Sequence, residues 1–278
     1  MSKINVLDLR KKKADNERIV MVTAYDYTMA RLVDKAGVDM VLVGDSLGMV
    51  IQGHDDTLPV TMDHMVYHTR CVARGLERAH LVADMPFMSF QINAESALQA
   101  AGRLIKEGRA QSVKLEGGER SASAIAACVQ AGIPVVGHVG LTPQSVHAMG
   151  GFRIQGRGDS AADVVIRDAV AVQDAGAFCL VLEGMPSDVA AEITQRLDIP
   201  TIGIGAGIHC DGQVLVCNDI LGMDLSFAPK FVKRYARMEE TAVEAFGTFA
   251  AEVRLGTFPG PEHSFRSNSG ALKVAKLY

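Results

Sequence analysis

Three acids stand at equivalent places along this chain, each closing a short apolar run: Asp45 after residues 40–44, Asp84 after 81–83 and Glu116 after 112–115. Carboxylates set side by side repel one another unless a proton or a cation intervenes. Oxygen-only ligands suit Mg2+, which accepts a few protein carboxylates and fills its other positions with water or substrate. No paired Cys or His supplies the softer set that zinc prefers. Alternatively, each acid caps a helix in its own loop; three in succession favour the metal. Lys114 and Glu116 lie two apart, so on a strand they share a face. Among carboxylates Lys114 stays protonated and can hold a substrate carboxylate or oxyanion. It can also form a structural pair with Glu116 or a Schiff base, although nearby negative charge, by raising its pKa, opposes the latter. Glu183, after the apolar run 179–182, is placed to act as a partly desolvated general base with a raised pKa. His138 is either its hydrogen-bonding neighbour in the pocket or a histidine simply satisfied in place, and Ser46 is a hydroxyl available to substrate.

Such residues need a scaffold that delivers them to one rim. Short apolar runs recur at 19–24, 40–44, 81–83, 112–115, 134–137, 178–182, 200–204 and 214–216. They are nearly continuously apolar, as parallel strands covered on both sides should be. Helical patterns separate them. Asn93 caps one whose inner face is Ala94, Ala97, Leu98, Ala101 and Leu104, with Gly108 as its stop. Pro143 fits a first helical position, and Gly37, Gly108, Gly132 and Gly176 each end a helix just before a strand. Eight strands alternating with helices in 278 residues favour a closed (β/α)8 TIM barrel over a doubly wound sheet. The chain reads as one such domain over residues 1–278, its last helix at 230–255 and a tail from about 256. In a barrel, function collects where strands end and loops begin.

Composition narrows the partners. Net charge is −4, and the only basic run, residues 10–13, reads as a solvated surface turn. Nothing calls for nucleic acid or a membrane: no apolar stretch is long enough to span a bilayer, and the N-terminus lacks a signal-peptide core. Five scattered cysteines without CxxC fit reduced thiols in the cytoplasm.

Several motifs invite other readings. Residues 44–48 spell GDSLG, matching the nucleophile elbow of serine hydrolases. An elbow needs a helix starting at its serine, and Gly48, Gly53, Asp55, Asp56 and Pro59 make the following stretch a loop. Residues 203–207 (GIGAG) lack GxGxxG spacing and read as a tight loop at the barrel mouth. His64 and His68 lie one turn apart without the zincin glutamate, so surface or packing roles suit them.

Taken together, residues 21–27 (MVTAYDY), 43–48 (VGDSLG), 83–87 (ADMPF), 113–118 (VKLEGG) and 137–144 (GHVGLTPQ) resemble the ketopantoate hydroxymethyltransferase family. So do 150–152 (GGF), 155–157 (QGR), 182–183 (LE), 202–207 (IGIGAG), 211–216 (DGQVLV) and 229–233 (PKFVK), which carries the resemblance across nearly the whole chain. It implies a (β/α)8 barrel that moves a hydroxymethyl group from 5,10-methylenetetrahydrofolate to 3-methyl-2-oxobutanoate through a Mg-stabilised enolate. By position, Asp45 and Asp84 bind Mg2+ with Glu116 beside it, and Ser46, Asp84 and Lys114 contact the oxo acid. Glu183 is the implied base, and the implied assembly is a large homo-oligomer, often a decamer. Asn218 falls where some relatives carry His, so that loop receives no role. The nearest rival is a Mg-dependent carbon–carbon lyase of the phosphoenolpyruvate mutase and isocitrate lyase kind. Those enzymes carry a cysteine in a flexible catalytic loop, and none of the five here sits in such a motif. A non-catalytic barrel is the other class of reading, and the intact strand-end acids argue against it.

Overall fold

The computed structural model describes residues 3–226 and 228–265. Eight parallel strands close into a barrel in chain order. They are β1 (Ile19–Thr23), β2 (Met40–Val43), β3 (His80–Asp84), β4 (Ser112–Glu116), β5 (Val135–Gly140), β6 (Cys179–Glu183), β7 (Thr201–Ile204) and β8 (Gly212–Leu215). Every run expected from the sequence is a strand, with ends displaced by a few residues at most. The helices are α1 (Val6–Ala14), α2 (Tyr27–Lys35), α3 (Leu47–Val50), α4 (Met62–Gly75) and α5 (Ala94–Lys106). After them come α6 (Ala122–Gln130), α7 (Asp159–Asp174), α8 (Ser187–Arg196), α9 (Cys217–Leu221) and α10 (Met238–Leu255).

Alternation along the strands creates two cores. Outward residues such as Val113 and Leu115 join Ala97, Ala101 and Leu104 of α5 in the layer between sheet and helices. Inward residues such as Met21, Met40, Val82, Val181 and Ile202 fill the barrel interior, where Ile4 and Leu9 join them. The inward positions nearer the strand ends turn polar: Asp84, Lys114, Glu116, His138 and Glu183. The barrel is therefore packed in its lower part and chemical at its top, as the fold generally requires.

Local expectations were met unevenly. Asn93 caps α5, its side chain accepting from Ser96 N at 2.8 Å. Gly37, Gly132 and Gly176 take left-handed φ of 84°, 82° and 99°. Gly108 does not; Arg109 takes φ 65° instead, and a Cβ on Gly108 would stand 2.6 Å from Leu104 O. Close approach, not helix termination, requires that glycine. Pro143 opens only a 3-10 turn, Pro143–Ser145. The basic run lies on α1, not in a turn; Lys12 contacts Asp39 at 3.3 Å and Lys13 contacts Asp211 at 2.8 Å. The last helix starts at Met238 rather than 230, and residues 266–278 of the expected tail lie outside the described residues. No helix among the described residues is long and apolar enough to cross a membrane.

Candidate active site

Strand register brings the polar residues together before any side chain is considered. Asp84 pairs with Lys114 across β3 and β4, Glu116 with His138 across β4 and β5, and Gly140 with Glu183 across β5 and β6. Gly140 makes the last junction possible. Its φ is 93°, and a Cβ there would sit 2.2 Å from Glu183 O, where Leu141 N donates at 2.8 Å.

At the centre Lys114 Nζ lies 2.8 Å from Asp84 Oδ1, with both side chains buried. The contact is a buried charge pair. The other oxygen, Oδ2, accepts from Asp45 N at 3.0 Å. None of the three acids caps a helix; Glu116 lines a cavity beside the cluster. Burial, then the charges of Asp84 and Glu116, push the Asp45 carboxyl well above its ordinary range. Burial raises Asp84 too, against the pull of Lys114. Burial alone would lower Lys114, but the carboxylates of Asp84, Glu116 and Asp45 outweigh it and raise its pKa. A structural Lys114–Glu116 pair is not what forms, since Lys114 pairs with Asp84.

His138 stands between two glutamates, Nδ1 3.5 Å from Glu116 Oε1 and Nε2 3.2 Å from Glu183 Oε2. Burial and the Lys114 charge lower its pKa, but the two carboxylates prevail and raise it to about 9. Lys114 Nζ lies 3.3 Å from Nδ1, within hydrogen-bond reach of the ring. Glu116, despite burial, is lowered by His138 and Lys114. Glu183 is the most accessible acid of the set, its side chain 18% exposed at the rim.

Two further residues complete the cluster, and no residue-level signal marked either. Gln144 is buried, and its Nε2 donates to Asp45 Oδ2 at 2.8 Å and Met85 O at 2.9 Å. Its backbone N donates to Glu116 Oε2 at 3.1 Å, and its Oε1 accepts from Gln91 at 2.8 Å. Tyr25, buried, shares a 2.8 Å hydrogen bond with Ser46 Oγ, and burial keeps its phenol protonated. A single helical turn, α3, does follow Ser46, where the sequence suggested only loop. Ser46 has an unstrained φ of −52° and meets a tyrosine, so it is no nucleophile elbow. His64 completes the capping box of α4, and His68 Nδ1 lies 2.6 Å from Tyr25 O.

Among the described residues, no three acids, histidines or cysteines converge closely enough to hold a metal unaided. Asp45 and Asp84 nevertheless fit a hard cation: two adjoining buried carboxylates, both pushed toward protonation. Mg2+ is ordinarily held by one or two carboxylates, the rest being water and substrate.

The family model for ketopantoate hydroxymethyltransferase matches residues 3–261. The chain belongs to that family. A 3-methyl-2-oxobutanoate hydroxymethyltransferase from Syntrophotalea carbinolica is 59% identical over 260 residues, covering 94% of this chain and 97% of its own. Another, from Clostridium beijerinckii, is 53% identical over 276 residues, 99% of this chain and 100% of its own. A solved phosphonopyruvate hydrolase, in complex with oxalate and Mg++, shares the fold at TM-score 0.61 and 15% identity, covering 95% of this chain and 93% of its own. The rival lyase reading therefore rests on a common architecture alone. Four of the five free thiols are buried, and burial pushes Cys128 up to about 11 and Cys179 up to about 12.

Proposed function

We propose that this chain transfers a hydroxymethyl group from 5,10-methylenetetrahydrofolate to 3-methyl-2-oxobutanoate, giving 2-dehydropantoate, as a cytoplasmic homo-oligomer. Within the family, one observation carries the reading: His138 stands between a buried cation and a rim carboxylate, 3.3 Å from Lys114 Nζ and 3.2 Å from Glu183 Oε2. Lys114 is fixed to receive the oxo acid's carboxylate or developing oxyanion without reorganisation. Ser46, anchored by Tyr25, supplies a hydroxyl beside it. Asp45 and Asp84 are the groups to hold a divalent cation, with Glu116 beside it, and a bound Mg2+ would supply Lewis acidity toward the keto group.

Glu183 takes the proton from C3, and the His138 ring 3.2 Å away aims its carboxylate. The electron pair left at C3 forms the new carbon–carbon bond to the one-carbon unit. That unit's two bonds to folate nitrogen give way to this bond and to a hydroxyl from water. The C3 proton and the remaining water proton return to the nitrogens, and tetrahydrofolate leaves.

The test is hydrogen exchange. Incubated with 3-methyl-2-oxobutanoate in D2O, the protein should exchange the C3 proton with Mg2+ present and stop when EDTA is added. Glu183→Gln should bind the oxo acid and lose exchange by at least about 100-fold, the lower range for general-base catalysis. Normal exchange in that variant removes Glu183 from the role. A wild-type protein inert with Mg2+ and tetrahydrofolate both present overturns the assignment.

A further inference from the structure

Behind Ser46 runs a line of buried hydroxyls that ends on a loop with no part in the reaction described above. That loop follows β8, where Cys217 opens α9. We propose that the line is a one-way hydrogen-bond chain, from the Cys217 amide through Thr23 and Tyr25, that fixes the Ser46 hydroxyl as a donor to the oxo acid's anionic oxygens. Thr23 and Tyr25 are then positioning residues. The inference rests on the contact between Ser46 and the oxo acid proposed above and says what orients it.

A hydroxyl both donates and accepts, so by itself it has no fixed direction. The first member of the chain removes that freedom. The Cys217 N–H, at the first position of α9, has no acceptor within the helix and donates to Thr23 Oγ1 at 3.0 Å. A backbone N–H can only donate. Thr23 Oγ1 therefore accepts from behind and donates forward to the Tyr25 phenol, which it also reaches. The competing acceptor is Cys217 Sγ, but that thiol donates to Asn218 Oδ1 at 3.3 Å, and sulfur accepts only weakly. Tyr25 Oη lies 2.8 Å from Ser46 Oγ; accepting from Thr23, it donates to Ser46. Among the described residues Ser46 Oγ makes no second side-chain hydrogen bond, so its own proton is left for a ligand.

The surroundings strengthen this polarity. Thr23 and Tyr25 are buried, so water does not compete for their bonds, and hydrogen bonds chained in a low-dielectric interior polarise one another. Tyr25 is held from a second side, its carbonyl 2.6 Å from His68 Nδ1 on α4. The chain also ends at the cluster. A Cβ built on Gly44 would stand 2.7 Å from Ser46 Oγ and 3.5 Å from Asp84 Oδ2, so the hydroxyl and that aspartate are neighbours. Carboxylate and enolate oxygens accept and never donate, and a donor aimed beforehand at such an oxygen needs no reorganisation when charge develops.

Four variants test the chain, read by equilibrium dialysis of 3-methyl-2-oxobutanoate with Mg2+ present and by the split between KM and kcat. Ser46→Ala should weaken oxo-acid binding roughly tenfold, the worth of one hydrogen bond to a charged group. Tyr25→Phe removes one oxygen and keeps the ring; it should weaken binding roughly three- to tenfold and raise KM more than it lowers kcat. The double variant should bind no more weakly than Ser46→Ala alone, because Tyr25 acts through Ser46. Thr23→Val should follow Tyr25→Phe, and Thr23→Ser, which restores the hydroxyl, should recover wild-type binding. Losses that add in the double variant overturn the chain. So does wild-type binding by Tyr25→Phe, or a Thr23→Ser no better than Thr23→Val. Wild-type binding by Ser46→Ala overturns instead the contact on which the chain rests, and absence of C3 exchange in the wild type overturns the reaction itself.

Discussion

Gln144 shows how much a site depends on a residue that does no chemistry. Its amide ties Asp45 to the carbonyl of Met85 while its backbone N–H holds Glu116, joining the loops after β2 and β3 to the end of β4. Removing a group that orients a metal ligand typically costs 10–100-fold in metal affinity. Gln144→Leu keeps the backbone donor to Glu116 and deletes only the amide, so Mn2+ titration followed by electron paramagnetic resonance should show affinity falling about tenfold or more. An unchanged titration would reduce Gln144 to packing. The acids, Lys114, His138 and Glu183 were legible in the sequence because each closes or interrupts an apolar run, and strand ends in a barrel meet at one rim. Gln144 and Tyr25 were not. Both lie in loops, and nothing in periodicity says that a glutamine 28 positions beyond Glu116 folds back onto it.

Among the elements, the strands were legible because burial on both faces leaves a continuous apolar signature. Helix ends were less so, since a glycine that stops a helix looks the same in sequence as one that makes room. Gly108 is of the second kind, because Leu104 O and Thr69 leave no space for a side chain. The start of β3 carries a testable consequence. His80 is buried, its Nε2 2.9 Å from Ser112 Oγ and its Nδ1 3.2 Å from Ile4 O, and so fastens the N-terminal segment to the barrel. Burial lowers its pKa from 6.5 to about 4. Above pH 6.5 the ring is neutral folded or unfolded and has no linkage effect. As pH falls from 6.5 toward 4 the unfolded chain takes up a proton that the fold refuses, so stability is lost across that window, by roughly 3 kcal/mol at its end. Urea unfolding at pH 7, 5.5 and 4.5 should show this slope in the wild type and a shallower one in His80→Gln. Parallel slopes would mean that His80 is not the titrating group.

At the scale of the whole molecule, the closed barrel explains why sequence could give the architecture while the fold alone could not choose the reaction. A phosphonopyruvate hydrolase shares it at 15% identity, and function resides in the site built upon a fold. The last helix was legible only in part: its apolar spacing marks it, but among the described residues only a small contact such as Phe258 on Phe249 covers it. None of the 18 residues of α10 is buried. Val243, Phe246 and Val253 stand exposed at helical spacing. Most helices in proteins are held by packing of an apolar stripe. A second copy of the chain is the partner that fits the homo-oligomer implied by the family resemblance, because a symmetric assembly covers this stripe on every copy at once. Sedimentation should therefore find a species several times the 29.7 kDa chain. The double variant Val243→Glu, Phe246→Glu should shift it to smaller forms while far-ultraviolet circular dichroism still reports a folded barrel. A wild type that sediments as a monomer would leave α10 without a partner and would overturn this reading of the stripe.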